Sequence, residues 1–372
     1  HEAAVGSVQP QRRGDGAFAE EQGVVGVHHA LRSAGGAAGG HHQRVGAVSF
    51  SPDGQYVLTG SRDGSARLFR SQIGELPQPL AGHLSEVVTL SFSQDGQRLL
   101  SGSRDGTAAL WELKSSDRLA ELKSRGLSEA RWLKRPDGKT ELLTITPGGV
   151  GSTGRIPGLL RYFGGEGFVE TLTQGGDLAL GKILAVTDDG EYLLSIPESG
   201  KASVWHRKDG SPMPESLGAL QKQKDEPTVA VFSPDGRWLV TGSKGGEVML
   251  YDVRAKFAPH DLPSHQGAVR ALQFSRSSEL FASGSADTSA RLYDPAKQQV
   301  VATMTGHSGE VRSVLFAGDG SRLLVLDSGE RAWLRDGKDG RLIAALSKHS
   351  SKEYAAIAMS LAGATIAVIV SK

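Results

Sequence analysis

Histidine, serine and aspartate recur in this sequence in an order that suits nucleophilic chemistry. His83 is followed by Ser101 or Ser103 and then by Asp105, 22 residues after the histidine. A serine activated by a histidine, itself held by a carboxylate, is the arrangement of a hydrolase. The same spacing recurs from His41 to Asp63 and from His265 to Asp287. Because an enzyme needs its nucleophile only once, we predict no catalytic residues and interpret these sets as buried polar groups that satisfy one another's hydrogen bonds.

Two further patterns look like ligand sites but lack the context that such sites need. Residues 149–154 have the GxGxxG spacing of a dinucleotide-binding loop, yet Pro157 and Gly158 follow where a helix should begin. We interpret this stretch as part of a flexible insertion over about residues 147–167. The histidine pairs at 28–29 and 41–42 have no carboxylates at metal-ligand spacing beside them, and the chain has no cysteine. We therefore predict no cofactor and no metal.

The elements that must position the polar sets are short strands that repeat along the chain. Residues 82–111 hold alternating apolar runs separated by turns at Asp95-Gly96 and Asp105-Gly106, and Asp-Gly between such runs is a strong hairpin signal. The glycine of the first turn, or its equivalent, recurs every 42 to 52 residues, at Gly54, Gly96, Gly138, Gly190, Gly236, Ser278, Gly320 and Gly363. One such unit cannot bury its apolar faces alone, so we expect it to pack against copies of itself.

This period, with the Gly-His and closing Trp signatures, resembles the WD-repeat (WD40) β-propeller family over about residues 40–372. The resemblance implies an all-β propeller of four-stranded antiparallel blades, and we expect a bacterial source. We predict eight blade positions, seven complete repeats plus a terminal partial one, with seven blades as the alternative. The residues that match the structural polar set of the family are His41, Asp63, His83, Ser101, Ser103, Asp105, Trp111, His265, Asp287, His307 and Trp333.

The domain prediction assigns residues 41–372 to the propeller, with full repeats at about 41–350 and a partial repeat at 354–372. Residues 354–371 carry no charge, but Ser360, Gly363 and Thr365 interrupt them, which favours two strands and a turn over a membrane span. We predict that residues 1–40 form an N-terminal segment that completes this last blade. Its turn would lie at 14–16, and its strands at 17–21 and 24–30.

The composition is that of a soluble globular protein, with 38% hydrophobic and 22% charged residues. A net charge of +1 gives no global reason to expect nucleic acid or a membrane as partner. The absence of cysteine fits the cytoplasm, with the periplasm as the alternative. Cations occupy related positions near the second turns and in the first strands: Arg44, Arg62, Arg104, Lys244, Arg270 and Arg312. We predict that they form a basic rim, which Glu86 and Glu310 would interrupt; ordinary surface charge is the alternative.

The family resemblance implies a non-catalytic scaffold, monomeric, that docks other proteins or peptides, acidic ones in particular, on this rim. A first alternative is a sensor or autoinhibitory array of a larger bacterial NTPase, kinase or protease, which the sequence before His1 would distinguish. A weaker alternative is a propeller hydrolase or lactonase. That activity would need carboxylates or histidines that converge at one end of the central channel, and the pattern does not supply them.

Overall fold

A computed structural model describes residues 4–5, 29–30, 41–70, 78–123, 129–134, 140–145, 160–163, 171–172, 182–196, 201–207, 214–220, 222, 224–329, 331–346, 354–359 and 366–370. All regular elements among these residues are β-strands. In this part of the chain there is no helix long and apolar enough to cross a membrane. The chain divides into two compact units, one of residues 1–123 with 348–372 and the other of residues 124–347.

The first unit contains two four-stranded antiparallel sheets, one formed by the third to sixth strands of the chain and one by the seventh to tenth, and in each sheet a strand pairs with the next along the chain. Its strands up to residue 123 are β1 (Ala4–Val5), β2 (His29–Ala30), β3 (Val45–Phe50), β4 (Tyr56–Ser61), β5 (Ala66–Arg70), β6 (Gln78–Leu80), β7 (Val87–Phe92), β8 (Arg98–Ser103), β9 (Thr107–Glu112) and β10 (Arg118–Lys123). The first strands of the two sheets, β3 and β7, lie against each other. Leu58 and Leu68 of one sheet and Leu99 of the other are buried in one apolar cluster.

The second unit contains five four-stranded antiparallel sheets of the same strand order. The first two are formed by β11 (Glu129–Lys134), β12 (Thr140–Ile145), β13 (Leu160–Phe163), β14 (Thr171–Leu172), β15 (Lys182–Val186), β16 (Tyr192–Ile196), β17 (Ser203–Arg207) and β18 (Pro214–Ala219). The other three are formed by β19 (Pro227–Phe232), β20 (Trp238–Ser243), β21 (Val248–Asp252), β22 (Ala258–Asp261), β23 (Val269–Phe274), β24 (Phe281–Ser285), β25 (Ala290–Asp294), β26 (Gln299–Met304), β27 (Val311–Phe316), β28 (Arg322–Asp327), β29 (Ala332–Asp336) and β30 (Leu342–Leu346).

The last four sheets of the second unit pack against one another in chain order. The first strands β15, β19, β23 and β27 contact one another in that order. Between two of these sheets, Leu194 and Val204 pack with Leu239 and Tyr251. Burial of a large apolar side chain stabilises a fold by about 1.5–3 kcal/mol, so each sheet depends on its neighbours. The prediction of an all-β propeller fold built from four-stranded antiparallel blades is confirmed.

The last strands of the chain, β31 (Tyr354–Met359) and β32 (Ile366–Val370), form a hairpin that belongs to the first unit. This confirms the prediction of two strands in this apolar stretch. The hairpin lies beside β3 through β31 and beside β1 through β32, and β1 pairs with β2.

Among the described residues, the strand beside β32 comes from residues 4–5, and the strand predicted at 17–21 lies outside the described part of the chain. β2 lies within the predicted strand at 24–30, whereas residues 6–28 lie outside the described part of the chain. The number of blades stays a prediction, because β1–β2 and β31–β32 form two separate two-stranded sheets and not one four-stranded sheet.

The insertion predicted at about 147–167 is wrong in part, because β13 occupies residues 160–163 as the third strand of its sheet. The chain reaches that strand through residues 146–159, which include the GxGxxG spacing and lie outside the described residues. The repeat thus continues through this part of the sequence, although its third strand starts later than the spacing of the other units predicts.

The turn positions that repeat in the sequence share a left-handed backbone. The first-turn residues Gly54, Gly96 and Gly236 have φ of 70°, 68° and 68°, and Ser278, which replaces glycine in the series, has 63°. The second turns behave alike, with φ of 87° at Gly106 and 68° at Thr288. Only glycine adopts this region without steric cost. The repeat therefore constrains the backbone even where its glycine has been replaced.

Replacing Thr288 with glycine should raise the free energy of unfolding by about 0.5–1 kcal/mol. The change removes a left-handed side chain that costs roughly 1–2 kcal/mol, and the greater chain entropy of glycine offsets part of the gain. Ser278→Gly is the matched control, because the Ser278 hydroxyl accepts a hydrogen bond from the Asp235 N–H at 3.1 Å, which would be lost. Urea unfolding measures both variants, and a Thr288→Gly variant less stable than the wild type would contradict the prediction.

Candidate functional site

The polar set of the β7–β10 blade forms one directed chain of hydrogen bonds. The Trp111 indole Nε1 donates to Ser101 Oγ at 2.8 Å, and the Ser101 hydroxyl contacts His83 Nε2 at 2.7 Å. His83 Nδ1 lies 2.7 Å from Thr107 Oγ1, and the Thr107 hydroxyl donates to Asp105 Oδ1 at 2.5 Å. Since Thr107 uses its proton on the carboxylate, His83 carries its own proton on Nδ1 and accepts from Ser101 at Nε2.

Thr107 is a member of this set that the sequence analysis missed. It lies between the histidine and Asp105, whose Oδ2 is 3.6 Å from His83 Nδ1. The open choice between the two serines is also resolved by contact, because Ser103 instead donates to the Ser85 carbonyl at 2.9 Å. A hydroxyl two residues after the turn aspartate recurs at Ser65 and Ser289, so the spacing itself was the available signal.

The same arrangement occurs in the β3–β6 and β23–β26 blades. His41 Nε2 contacts Thr59 Oγ1 at 2.7 Å, and its Nδ1 lies 3.3 Å from Asp63 Oδ2. His265 Nε2 contacts Ser283 Oγ at 2.6 Å, and its Nδ1 contacts Asp287 Oδ2 at 3.0 Å. Ser283, His265 and Asp287 thus have the spacing of a hydrolase triad, but Ser283 is 0% exposed. A nucleophile in that position has no contact with solvent or with a substrate.

Burial keeps these histidines neutral and hydrogen bonding keeps the aspartates charged. Desolvation lowers the pKa of His41 to about 4, and it also lowers the pKa values of His83 and His265. Burial raises the pKa of Asp63, but hydrogen bonds from Ser65 and from the backbone N–H of residue 42 outweigh it and lower this pKa to about 2. At neutral pH each set therefore contains a neutral ring and a carboxylate anion.

Each turn carboxylate also fixes the loop that leads into the first strand of its blade. Asp105 Oδ2 accepts from the Leu84 backbone N–H at 2.6 Å, and Asp63 Oδ2 does the same for His42 at 2.8 Å. In the third case, Asp287 Oδ2 accepts from the backbone N–H of residue 266 at 2.9 Å. These loops have a fixed backbone while their side chains face solvent.

The β27–β30 blade departs from this pattern in the identity of its closing residue. In the β7–β10 blade Leu99 pairs with Trp111, and the equivalent Leu323 pairs with Arg335. The assignment of Trp333 to the closing position is therefore wrong, because Trp333 lies two residues earlier on the same face of the strand. The Trp333 indole still joins a polar set, with a partner from a different position.

That partner is Asp327, which replaces the missing turn aspartate of this blade. Its Oδ2 accepts from the Ser308 backbone N–H at 2.9 Å and from Trp333 Nε1 at 3.2 Å, while Oδ1 accepts from the Arg331 N–H at 3.1 Å. The 22-residue spacing from histidine to turn aspartate does not find this residue, because Gly329 lies 22 residues after His307. The sequence signal for Asp327 is a different spacing: six residues separate Asp105 from Trp111, and six residues also separate Asp327 from Trp333.

A similar replacement occurs in the β19–β22 blade, where Gly245 stands at the aspartate position. Glu247 Oε2 accepts from the backbone N–H groups of Lys224 at 3.2 Å and of Asp225 at 3.5 Å. A longer side chain placed two residues later thus reaches the same loop. We conclude that the carboxylate on this loop is kept while its position in the sequence varies.

His307 of the β27–β30 blade lacks the hydroxyl that the other histidines contact. Its Nδ1 donates to the Thr288 carbonyl at 2.9 Å, but its buried Nε2 has no partner among the described residues. Val325 stands where Ser101 stands in the β7–β10 blade, 18 residues after the histidine. A buried acceptor thus has no donor, and the equivalent position carries a side chain that cannot donate, which costs stability.

Val325→Thr should raise the free energy of unfolding by about 0.5–1 kcal/mol, because its hydroxyl can donate to His307 Nε2. The reverse change, Ser101→Val, should lower it by about 2–3 kcal/mol, because it leaves His83 and Trp111 without their shared partner. Thermal or urea unfolding of both variants tests the prediction. A loss of stability in Val325→Thr would show that the orphaned nitrogen is not what limits this blade.

The predicted cations of the first unit lie at the end of the blades that holds the polar sets. Arg44 and Arg62 are neighbours, because the Arg62 N–H donates to the Arg44 carbonyl at 2.8 Å. Arg104 Nε lies 3.0 Å from Glu86 Oε2, and its side chain is still 67% exposed, against 24% for Glu86. Among the described residues, no carboxylate forms an ion pair with Arg44 or Arg62. This end of the first unit therefore exposes mainly positive charge.

The cations of the second unit have a more mixed surrounding. Arg270 Nε lies 3.5 Å from Glu310 Oε2, and both side chains are exposed, at 49% and 40%. Lys244 and Arg312 are exposed, and no ion pair joins them to a described residue. Thus both glutamates that were expected to interrupt the basic rim do pair with one of its cations. No cluster of three or more metal-ligating side chains occurs in the described ranges.

Comparison with known proteins gives a family and a fold. The sequence matches the WD40 family, described as "WD domain, G-beta repeat", at residues 37–70, 74–112, 220–252, 258–294 and 298–330. No curated protein matches the chain. Among solved structures, the crystal structure of the computationally designed Ika8 protein is similar with a TM-score of 0.66 and 20% sequence identity, over 90% of this chain and 98% of that one. At this identity the likeness concerns the fold alone.

Proposed function

The chain belongs to the WD-repeat (WD40) β-propeller family, and from this premise we propose that it is a non-catalytic scaffold that docks other proteins. The docking face is the end of the blades at which the turn carboxylates hold the loops. One observation carries the proposal: the backbone of these loops is fixed by buried acceptors, as in the 2.6 Å bond from Leu84 to Asp105, while their side chains are exposed. Such preorganised loops lose little conformational entropy when a partner binds.

The case against an enzyme rests on the same groups. The serine–histidine–aspartate sets of the described residues are structural, since the serine that approaches triad geometry, Ser283, is buried and satisfied. Substitutions in such a set should lower the free energy of unfolding and should not abolish a catalytic activity. The role as an array within a larger bacterial signalling enzyme, the cytoplasmic location and the monomeric state stay predictions.

An affinity capture experiment tests the scaffold function. The bait is the wild-type chain, compared with a variant in which the exposed residues Arg62, Arg104, Arg270 and Arg312 are all changed to glutamate. The matched control changes the same number of exposed cations at the opposite end of the blades, namely Arg98, Arg276, Lys338 and Arg341. We expect partners retained by the wild type and by the control to be lost from the first variant. Equal partner lists for all three baits would argue against this face.

The two-stranded pieces at the chain ends support a further part of the proposal, an eighth blade position that both termini share. In the first unit, β32 lies beside β1 and β31 lies beside β3. Residues 1–40 would then complete the blade that β31 and β32 begin, and residues 41–372 would supply the rest. Deleting residues 1–31 should lower the melting temperature, because the edge of β32 loses its cover. An unchanged melting curve would favour seven blades.

A further inference from the structure

Leu84 is the most exposed of the large apolar side chains in the described residues, at 93%. It directly follows His83, and the residues in the same position of other blades are His42, Gln266 and Ser308. The fold therefore accepts a polar residue at this position, and the exposed leucine side chain has no packing role. Its burial by a partner would contribute binding energy that the chain does not use in folding.

The backbone that carries Leu84 is held on both sides. Its N–H donates to Asp105 Oδ2 at 2.6 Å, within its own blade. On the other side, the turn of the β3–β6 blade is so close that a Cβ added to Gly64 would lie 2.9 Å from the His83 carbonyl oxygen. The leucine is thus presented on a fixed loop between the second turns of two neighbouring blades, which carry Arg62 and Arg104.

The charges around this leucine are sorted by exposure. The acidic side chains are the less exposed ones. Asp63 and Asp105 are 10% and 9% exposed, because they accept hydrogen bonds from the loops, and Glu86, which pairs with Arg104, is 24% exposed. The basic side chains point outward: Arg104 is 67% exposed, and Arg44 and Arg62 are exposed as well. A partner would therefore meet an apolar side chain beside Arg44 and Arg62, which form no ion pair with a described residue, and beside Arg104, which pairs with Glu86.

We propose that the Leu84 surface, formed by Arg44, Arg62, Leu84 and Arg104, binds an acidic protein segment that carries a large apolar side chain. The inference rests on the proposed scaffold function and names its partner class. Acidic side chains would pair with the arginines, and the apolar one would cover Leu84. A nucleic acid backbone would use the arginines alone and leave the leucine in water.

The probe is a short fluorescein-labelled peptide with one leucine flanked by aspartate and glutamate, and anisotropy measures its binding to the full chain. The test variants are Leu84→Ser, which installs the residue of the equivalent position 308, and Arg62→Glu. The matched controls are Leu119→Ser, an apolar side chain 47% exposed on β10, and Arg98→Glu at the opposite end of its blade. Far-UV circular dichroism checks that all four variants fold.

We expect each test variant to weaken binding by about tenfold or more and each control to leave it unchanged. Binding should also weaken when the salt concentration rises from about 0.1 M to about 0.5 M. Equal binding by Leu84→Ser and Leu119→Ser, or by a peptide with alanine in place of leucine, would overturn the proposal. So would tighter binding of single-stranded DNA, which would indicate a nucleic acid partner. If the capture experiment retains partners that Leu84→Ser leaves unchanged, the scaffold function survives and this surface does not.

Discussion

Changing Asp327 to asparagine should lower the free energy of unfolding by about 2–3 kcal/mol, because this carboxylate is buried and accepts four hydrogen bonds. Asparagine keeps the shape of the side chain but has one acceptor oxygen. Its NH₂ group would face either the Arg331 N–H or the donors of Ser308 and Trp333, and donors would then oppose each other. Urea unfolding followed by Trp fluorescence measures the loss.

Asp319→Asn is the matched control, in the first turn of the same blade. Asp319 also accepts from the Ser321 N–H, at 2.9 Å, but it is exposed, so water can replace its bonds. We expect this variant to lose less than about 0.5–1 kcal/mol. Similar losses in the two variants would mean that Asp327 does not replace the turn aspartate in holding this blade.

The repeat made the backbone of this protein predictable from its sequence. The interval between turn residues located the hairpins, and it identified Ser278 as a turn residue although it is not glycine; its φ is 63°. The reason is that a turn with left-handed φ imposes a local steric demand, which neighbouring sequence reveals. The predicted order His, hydroxyl, Asp likewise brings these residues together at one end of a blade, because the turn after the second strand lies beside the loop that carries the histidine.

What could not be predicted is which position of a strand supplies each hydrogen-bonding side chain. A shift of two residues leaves the side chain on the same face, so a count from His307 finds Gly329 and misses Asp327. For the same reason the sequence left Ser101 and Ser103 as equals, although only Ser101 reaches the His83 ring. Distances across the blade decide between such positions, and composition does not contain them.

The basic rim shows a different limit, since a list of charges does not tell which charges pair. Arg104 and Glu86 are 18 residues apart, and the bond from the Arg104 N–H to the Glu86 carbonyl, at 2.9 Å, brings their side chains together. In the neighbouring blade, Arg44 occupies the position equivalent to Glu86. A cation therefore stands beside Arg62, and this blade exposes both arginines. The pairing of Arg104 and the freedom of Arg44 and Arg62 from ion pairs with described residues therefore follow from the loop positions, and the list of charges does not contain this information.

Lowering the pH from 7 to 5 should lower the free energy of unfolding by about 2 kcal/mol through His41 alone. Its pKa falls from 6.5 in the unfolded chain to about 4 in the folded one, because the ring is buried. The unfolded chain therefore binds more protons, and this contribution is complete above pH 6.5 and is lost as the pH falls toward 4. Asp63 acts in a lower window, between 3.8 and about 2, so the two groups can be separated.

His41→Gln tests the assignment, because glutamine cannot be protonated in this range. We expect the variant to be less stable than the wild type at pH 7, since it loses the contacts to Thr59 and Asp63, and to depend less on pH between 7 and 5. His42→Gln, at the exposed neighbouring position, is the control and should follow the wild-type curve. Urea unfolding at each pH gives the comparison. If His41→Gln kept the full slope, the loss would have to come from the other buried histidines, His83, His265 and His307, whose pKa values burial also lowers.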